Sequence, residues 1–415
     1  MHILTYREIQ SMKTYELFHF STQRIYNCLR SMNIIYFTTC QDNNDYNEYL
    51  KIWPYPINAS MQMFHNRLVR SLSLRNHVDV ISLRPFSKQD CLVKSLLKAE
   101  RVTNQIHWHY LSVRRSKIGR FSFMWAQVEK ILRNVDKNSI ILTDTINSNV
   151  FTLATYAAKR KRLPIIGVCT NSPSNVTGTK RSYALNVLSL AKHLDGTISL
   201  TPALNDLYNE KGKPSIIVEG LVEDNLPYKV ENKYCKYFLY SGSLYEKYGI
   251  YNLIQAFNEL NLPDYKLLIC GHHEGKVFLE TIRRKKNIRY LGALTNQECI
   301  LLQENAVANI NPRPFNEDLD RFTVPSKVFE YFNSNRPTIS TKSSRLFKLF
   351  EQDAIWMKTG SVEDIKEAII TLLALKKEEQ DYMAKKAHDR AQLYYSLSNV
   401  GLKLEDFLQT FFKKD

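Results

Sequence analysis

Short apolar runs suited to strands alternate, along nearly the whole chain, with stretches whose apolar residues recur at helical spacing. This alternation constrains the fold more than any other feature. In the first half, residues 33–40, 77–83, 139–143, 164–169, 196–200 and 215–218 read as strands. Between the first two, the stretch 57–75 carries Met61, Phe64, Leu68 and Leu72 on one helical face. Strands alternating with helices build βαβ units around a parallel sheet. The segment 219–236, with Gly220, Pro227 and several charges, breaks the pattern and reads as a linker. The alternation then restarts, with strands at 237–241, 265–270, 288–291, 307–311 and 337–341. Thr295 with Glu298 and Ser361 with Asp364 are capping-box signatures, and 380–412 reads as helical.

A chain of 415 residues is too long for one ordinary core. The expected fold class is therefore α/β, with two Rossmann-like domains facing across a cleft. Residues 1–30 read as an N-terminal extension, 31–220 as the first domain and 221–395 as the second. Residues 396–415 read as a C-terminal helix that packs back on the first domain.

Composition removes several function classes. The longest apolar run, 368–375, is far short of the roughly 18 residues that span a bilayer. Residues 1–30 show no apolar core followed by a small-residue cleavage site, so the cytosol is the expected compartment. The seven cysteines are scattered without a C-x-x-C pair, which argues against a disulfide framework. His107 and His109 flank Trp108, and His272 and His273 follow Gly271. Neither pair has a third ligand at metal-like spacing, so no metal is expected. No Gly-x-Ser-x-Gly elbow or Walker A motif is present.

The net charge of +16 is unevenly placed. Residues 84–137 hold 12 Lys/Arg against 4 Asp/Glu, and Lys159-Arg160-Lys161-Arg162 forms a second cluster. A solvated helix face, an anionic membrane surface, a diphosphate-bearing substrate and nucleic acid are the readings of such charge. With no zinc finger, RNP motif or GXXG loop, nucleic acid is not an expected partner. Trp108, Tyr110, Phe121, Phe123 and Trp125 stand among the cations, which places a membrane surface ahead of a plain solvated face.

The densest chemistry lies in 311–341. A strand ends in Asn311-Pro312-Arg313-Pro314, and after a loop comes Phe322-Thr323-Val324-Pro325-Ser326-Lys327-Val328-Phe329-Glu330-Tyr331-Phe332. Pro325 suits a first helical position, where no amide donor is needed. Ser326 and Glu330 then share one face, and Val328, Phe329 and Phe332 the other. Free amides, a hydroxyl, a lysine and a carboxylate thus sit beside a strand C-terminus, where α/β sheets place anionic ligands. A diphosphate suits Ser326 and Lys327, and a ribose diol suits Glu330. A second stretch, Tyr240-Ser241-Gly242-Ser243-Leu244 followed by Lys247-Tyr248-Gly249, has the order of a phosphate-holding turn. Ile269-Cys270-Gly271 is another strand ending on glycine.

These pieces, in this order, resemble the nucleotide-sugar domain of the family 4 glycosyltransferases, which have the GT-B fold and retain anomeric configuration. The resemblance is to the branch of bacterial capsule and exopolysaccharide assembly. It covers about 236–341 well and extends more loosely into 139–222. It implies a nucleotide-sugar donor, no cofactor, and a growing glycan or lipid-diphosphate-linked acceptor at the inner face of the plasma membrane. It also implies roles: Lys327 and Lys247 neutralise the leaving diphosphate, and Glu330 holds the ribose. Gly242 and Ser243 approach the phosphates, with Gly271, Arg313 and Ser326 also in the donor site, and the stretch Leu291–Leu294, which includes Gly292, flanks the base. The chain departs from the family pattern at Phe322, where the first of two motif glutamates would fall, and at Ser243, usually basic. Tyr248 is an inserted position, and Asn171 stands where Asp is frequent. The departures at Phe322 and Ser243 motivate an alternative, a catalytically inactive GT-B partner subunit. A nucleotide-sugar epimerase would need paired acid/base carboxylates, which the sequence does not offer.

Overall fold

The computed structural model describes residues 31–52, 59–84, 99–114, 116, 118–176, 178–224, 236–272, 276–283, 285–342 and 344–412. The extension 1–30, most of the linker 219–236, His273, Arg115 and Lys117 lie outside the described residues.

Fourteen strands are described, in two sheets. The first holds β1 (Asn33–Thr38), β2 (His77–Ser82), β3 (Glu100–Thr103), β4 (Ile106–Tyr110), β5 (Ser139–Asp144), β6 (Ile165–Cys169), β7 (Gly196–Ser199) and β8 (Ser215–Ile217), in the order β3-β4-β2-β1-β5-β6-β7-β8. The second holds β9 (Tyr237–Ser241), β10 (Lys266–Cys270), β11 (Ile288–Tyr290), β12 (Ala308–Asn311), β13 (Thr338–Thr341) and β14 (Ile355–Met357), in the order β11-β10-β9-β12-β13-β14. Among the described residues, every strand pairing is parallel except that of β3 with β4. The central strands are buried along their length, as in β5, β6 and β9, because helices cover both faces. In each sheet the strand order reverses beside the first strand, at β1/β5 and at β9/β12. Doubly wound folds open a crevice at the strand C-termini there.

The sequence pattern locates all six strands of the second sheet except β14. It misses β3 and β4, which fall in the basic stretch 84–137. Trp108 and Tyr110 are core residues of β4, 0% and 6% exposed, so neither belongs to a membrane-facing aromatic surface. On the helix Arg120–Ile131, Phe121 is exposed beside Tyr156, and Trp125 is half-buried between the same tyrosine and the first sheet's core.

The C-terminal stretch is two helices, Lys377–Tyr395 and Leu397–Gln409, broken at Ser396. Ser396 caps the second helix, and Val222 pairs with it. The helix Leu397–Gln409 packs on the helix Ala59–Ser73 of the first sheet's layer, where the Ser71 hydroxyl donates to the Leu397 carbonyl at 2.7 Å. Glycine is required at that crossing, since a Cβ on Gly401 would meet the Ser71 carbonyl oxygen at 2.6 Å. Gly401→Val should force the helices apart and lower stability by about 1–3 kcal/mol, the cost of overpacking. The midpoint of a urea unfolding curve reads this directly.

Candidate functional site

The loops after β9, β10 and β11 are tied by backbone hydrogen bonds into one wall. The Gly242 amide donates to Cys270 O at 3.0 Å, the Gly271 amide to Gly292 O at 2.9 Å, and the Leu244 amide to His272 O at 2.8 Å. Gly271 has φ of 141°, and a Cβ there would overlap the Gly242 carbonyl. Only glycine allows these loops to approach so closely. Gly249, with φ of 76°, does the same for the loop after β12, because a Cβ would meet Pro312 O at 2.1 Å.

Opposite this wall, the helix Ser326–Asn333 starts just beyond β12. Val328, Phe329 and Phe332 anchor it among Leu346, Phe350 and Tyr395. Pro325 occupies its N-cap, one position earlier than the sequence reading. Lys327 Nζ donates to Glu330 Oε2 at 2.7 Å. Glu330 is buried, 7% exposed, rather than facing solvent beside Ser326. Its second partner comes from the other sheet's layer. Arg67, on the helix Ala59–Ser73, lies with Nη1 2.9 Å from Glu330 Oε1, and its own side chain is 6% exposed. Arg67 also faces Glu223 at 3.5 Å, which Arg70 holds bidentately at 2.8 Å. Gln303 links Glu330 to the Ser241 hydroxyl. Arg67, Glu223, Gln303 and Glu330 line a small cavity together with Val222 and Asn333.

Burial pushes the Glu330 carboxyl up, but the charges of Lys327 and Arg67 outweigh it and bring it down to about 2. Burial likewise lowers the Lys327 ammonium, yet Glu330 raises it above the ordinary lysine value. The site thus keeps a fixed carboxylate between two fixed cations.

The other sequence-derived residues divide. Gly242, Ser243, Gly271, Leu291 and Gly292 belong to the loop wall, and Ser326 is exposed at the helix start. Leu291 packs on the cluster of Leu239, Leu268 and Cys299. Lys247 is exposed, its ammonium 5.8 Å and 5.3 Å from the rings of Tyr245 and Tyr248. Arg313 is engaged elsewhere: it donates to Asp320 at 2.7 Å and to Thr323 at 3.0 Å, which folds the loop after β12 back on itself. Phe322 packs against the core of the first sheet, the cluster that includes Leu204 and Tyr208. Arg67 and Gln303 escape a reading of motifs. The available signal for Arg67 is its helix, whose buried positions include Gln62, His65, Asn66 and Arg67, too polar for a purely packing face.

Residues 224–390 match the family model described as glycosyl transferases group 1. No curated protein matches the sequence. Among solved structures the chain is similar to a sucrose-phosphate synthase from Thermosynechococcus elongatus, with TM-score 0.68 and 12% identity over 92% of this chain and 99% of that one. It is similar to a glycosyltransferase from Rickettsia africae, with TM-score 0.65 and 13% identity over 93% and 100%. It is also similar to HepE from Anabaena in complex with UDP-glucose, with TM-score 0.62 and 13% identity over 91% and 100%. At such identities the likeness concerns the fold, and the fold is GT-B. The matched stretch 224–390 supplies Lys327, Glu330 and the glycine loops, while Arg67 comes from outside it.

The depressed Glu330 carboxyl gives a stability term with a defined sign. It is fully present above the ordinary carboxyl value of about 4.5 and is lost as pH falls from there toward about 2. Glu330→Gln removes the carboxylate that faces Lys327 and one of the two that face Arg67, and should be less stable at pH 7 by on the order of 2–4 kcal/mol. That gap should narrow progressively as pH falls below about 4.5. Urea unfolding of both proteins across pH measures it.

Proposed function

We propose that the chain is a glycosyltransferase that binds a nucleotide-sugar in the crevice of the second sheet and transfers the sugar, with retention of configuration, to a growing glycan or lipid-linked acceptor. The observation that carries the reading is Glu330, buried and ionised beside Lys327 at the head of a helix opposite the glycine loops. An ionised carboxylate accepts the two hydroxyls of a ribose. The Lys327 ammonium and the first amides of the helix Ser326–Asn333 stabilise the charge that develops on the leaving diphosphate. The group 1 match over 224–390 supports the reaction class, and the GT-B neighbours that carry UDP-glucose or UDP support the donor class. The further assignments are the family 4 branch, a role in bacterial surface polysaccharide synthesis, and a site of work at the cytoplasmic side of the membrane. They rest on the resemblance of 236–341 and on the surface described next.

Phe121 is exposed, with its ring 5.8 Å from that of Tyr156; Trp125 meets the same tyrosine at 4.5 Å. Ile118 is exposed beside them, and Lys159, Arg160 and Arg162 are exposed at the end of the helix that carries Tyr156. Exposed rings next to cations suit the headgroup level of an anionic bilayer. A second reading, an inactive GT-B partner subunit, is favoured by the departures at Phe322 and Ser243: Phe322 stands where the resembled family carries a donor-contacting glutamate, and it packs on the first sheet's core instead. Donor hydrolysis or sugar transfer by the isolated chain eliminates that reading.

Lys327→Ala should weaken nucleoside-diphosphate binding by about 1.5–3 kcal/mol, the range for a hydrogen bond to a charged group, as read by titration calorimetry. Wild-type affinity in this variant places the donor elsewhere. Transfer should survive EDTA, since lysines and helix amides, rather than a carboxylate-held cation, meet the diphosphate. Loss in EDTA with recovery in manganese contradicts the mechanism. Co-sedimentation should show binding to anionic vesicles but not to neutral ones, fading as the Debye length shrinks to about 3 Å at 1 M salt. Charge reversal at Arg114 together with Phe121→Ser should reduce it and leave nucleotide affinity unchanged.

A further inference from the structure

β4 alternates strictly: Ile106, Trp108 and Tyr110 enter the core, and His107 and His109 occupy the opposite face. Residues two apart on a strand project the same way, and here the two imidazole rings lie with centroids 3.8 Å apart. The parallel register sets Asp79 of β2 beside His107. Asp79 Oδ1 is 2.9 Å from His109 Nε2 and 3.9 Å from His107 Nδ1. One ligand atom from each of the three residues lies within 4.8 Å of the others, among the described residues. From the antiparallel edge strand, Glu100 stands opposite His109 and reaches to 3.5 Å from His107 Nε2, a buried nitrogen that makes no hydrogen bond. His77 adds a third imidazole, 3.6 Å from Asp79.

Plain ion pairing does not account for this arrangement well. Two imidazoliums stacked this closely would repel each other while sharing one carboxylate. Neutral imidazoles and a carboxylate are instead the donor set of first-row divalent metals. A tetrahedral zinc ion, with bonds to nitrogen of about 2.0–2.1 Å, holds its ligand atoms about 3.3–3.4 Å apart, between the 2.9 Å and 3.9 Å that separate Asp79 Oδ1 from the two ring nitrogens. The sequence alone shows His-x-His and no third ligand, because the third comes from a neighbouring strand.

We propose that Asp79, His107 and His109 bind a divalent metal ion of the zinc class, with Glu100 placed to complete or orient the set. The ion would join β2 to the β3–β4 hairpin and so fasten the edge of the first sheet. Lys327 and Glu330 belong to the second sheet's layer, so the ion takes no part in donor binding.

The test uses the tag-free full chain, stripped with a chelator and desalted, with zinc chloride as the probe. Calorimetry on wild type should give one zinc per chain, with no comparable magnesium binding, and zinc should raise the melting temperature. His107→Gln/His109→Gln and Asp79→Asn should each weaken zinc binding by on the order of 10–100-fold or more and abolish the thermal shift. Asp79→Asn preserves size at a half-exposed position, so it keeps the test decisive if the double variant does not fold. Circular dichroism confirms the fold of each, and UDP affinity should be unchanged throughout. No zinc uptake by wild type, or uptake undiminished in Asp79→Asn, overturns the proposal.

Discussion

Arg67 is buried where the two sheets' layers meet, and a guanidinium taken out of water must face an anion. It faces two. Glu223 lies in the passage between the sheets, and Glu330 stands on the helix that follows β12. Glu330 in turn binds Lys327, so one charge cluster links the first sheet's layer, the crossover and the head of the proposed donor helix. Removing Arg67 or Glu330, each with two partners in the cluster, strips a partner from two buried or half-buried charges at once, which costs more than an intact pair contributes. The same cluster holds Glu330 ionised. The packing of the two halves and the proposed ribose contact therefore depend on one set of charges.

Much of the fold is legible because a parallel sheet has no wet face. β5, β6, β9 and β10 are continuous apolar runs bounded by turn residues, and such runs need no partner information to be read. β4 obeys the other strand rule, since its apolar residues alternate with histidines. The cations on either side draw the eye to charge and away from that period of two. The break at Ser396 is also written in the sequence as a cap, though helical periodicity continues across it. The contact of Gly401 with Ser71 is not legible. Nothing local marks that glycine as the point where two helices cross.

The site divides along the same line. Lys327, Glu330, Gly242 and Gly271 can be proposed from sequence because strand, turn and helix start follow one another in the chain, and chemistry at a strand C-terminus is a local pattern. Whether a side chain is free is not local. Arg313 reads as a cation for the donor but is held by Asp320 and Thr323. Glu330 reads as a ribose ligand beside Ser326, and its contact with Arg67 from the other half of the chain is not legible. Asp79 joins His107 and His109 only through sheet register. Each of these depends on tertiary contacts that residue spacing does not encode.

A nucleotide site opposite the glycine loops is the central claim, and ligand binding to the native state alone raises stability by mass action. The direct measurement is the melting temperature of the full chain against a panel of nucleoside diphosphates and their sugar conjugates, with inorganic diphosphate as control. The predicted result is a rise with at least one nucleoside diphosphate series, equivalent to about 2.7 kcal/mol when the ligand is at 100 times its Kd, and a smaller rise with diphosphate alone. Absence of any shift across the panel, or equal shifts with nucleotide and inorganic diphosphate, would contradict it.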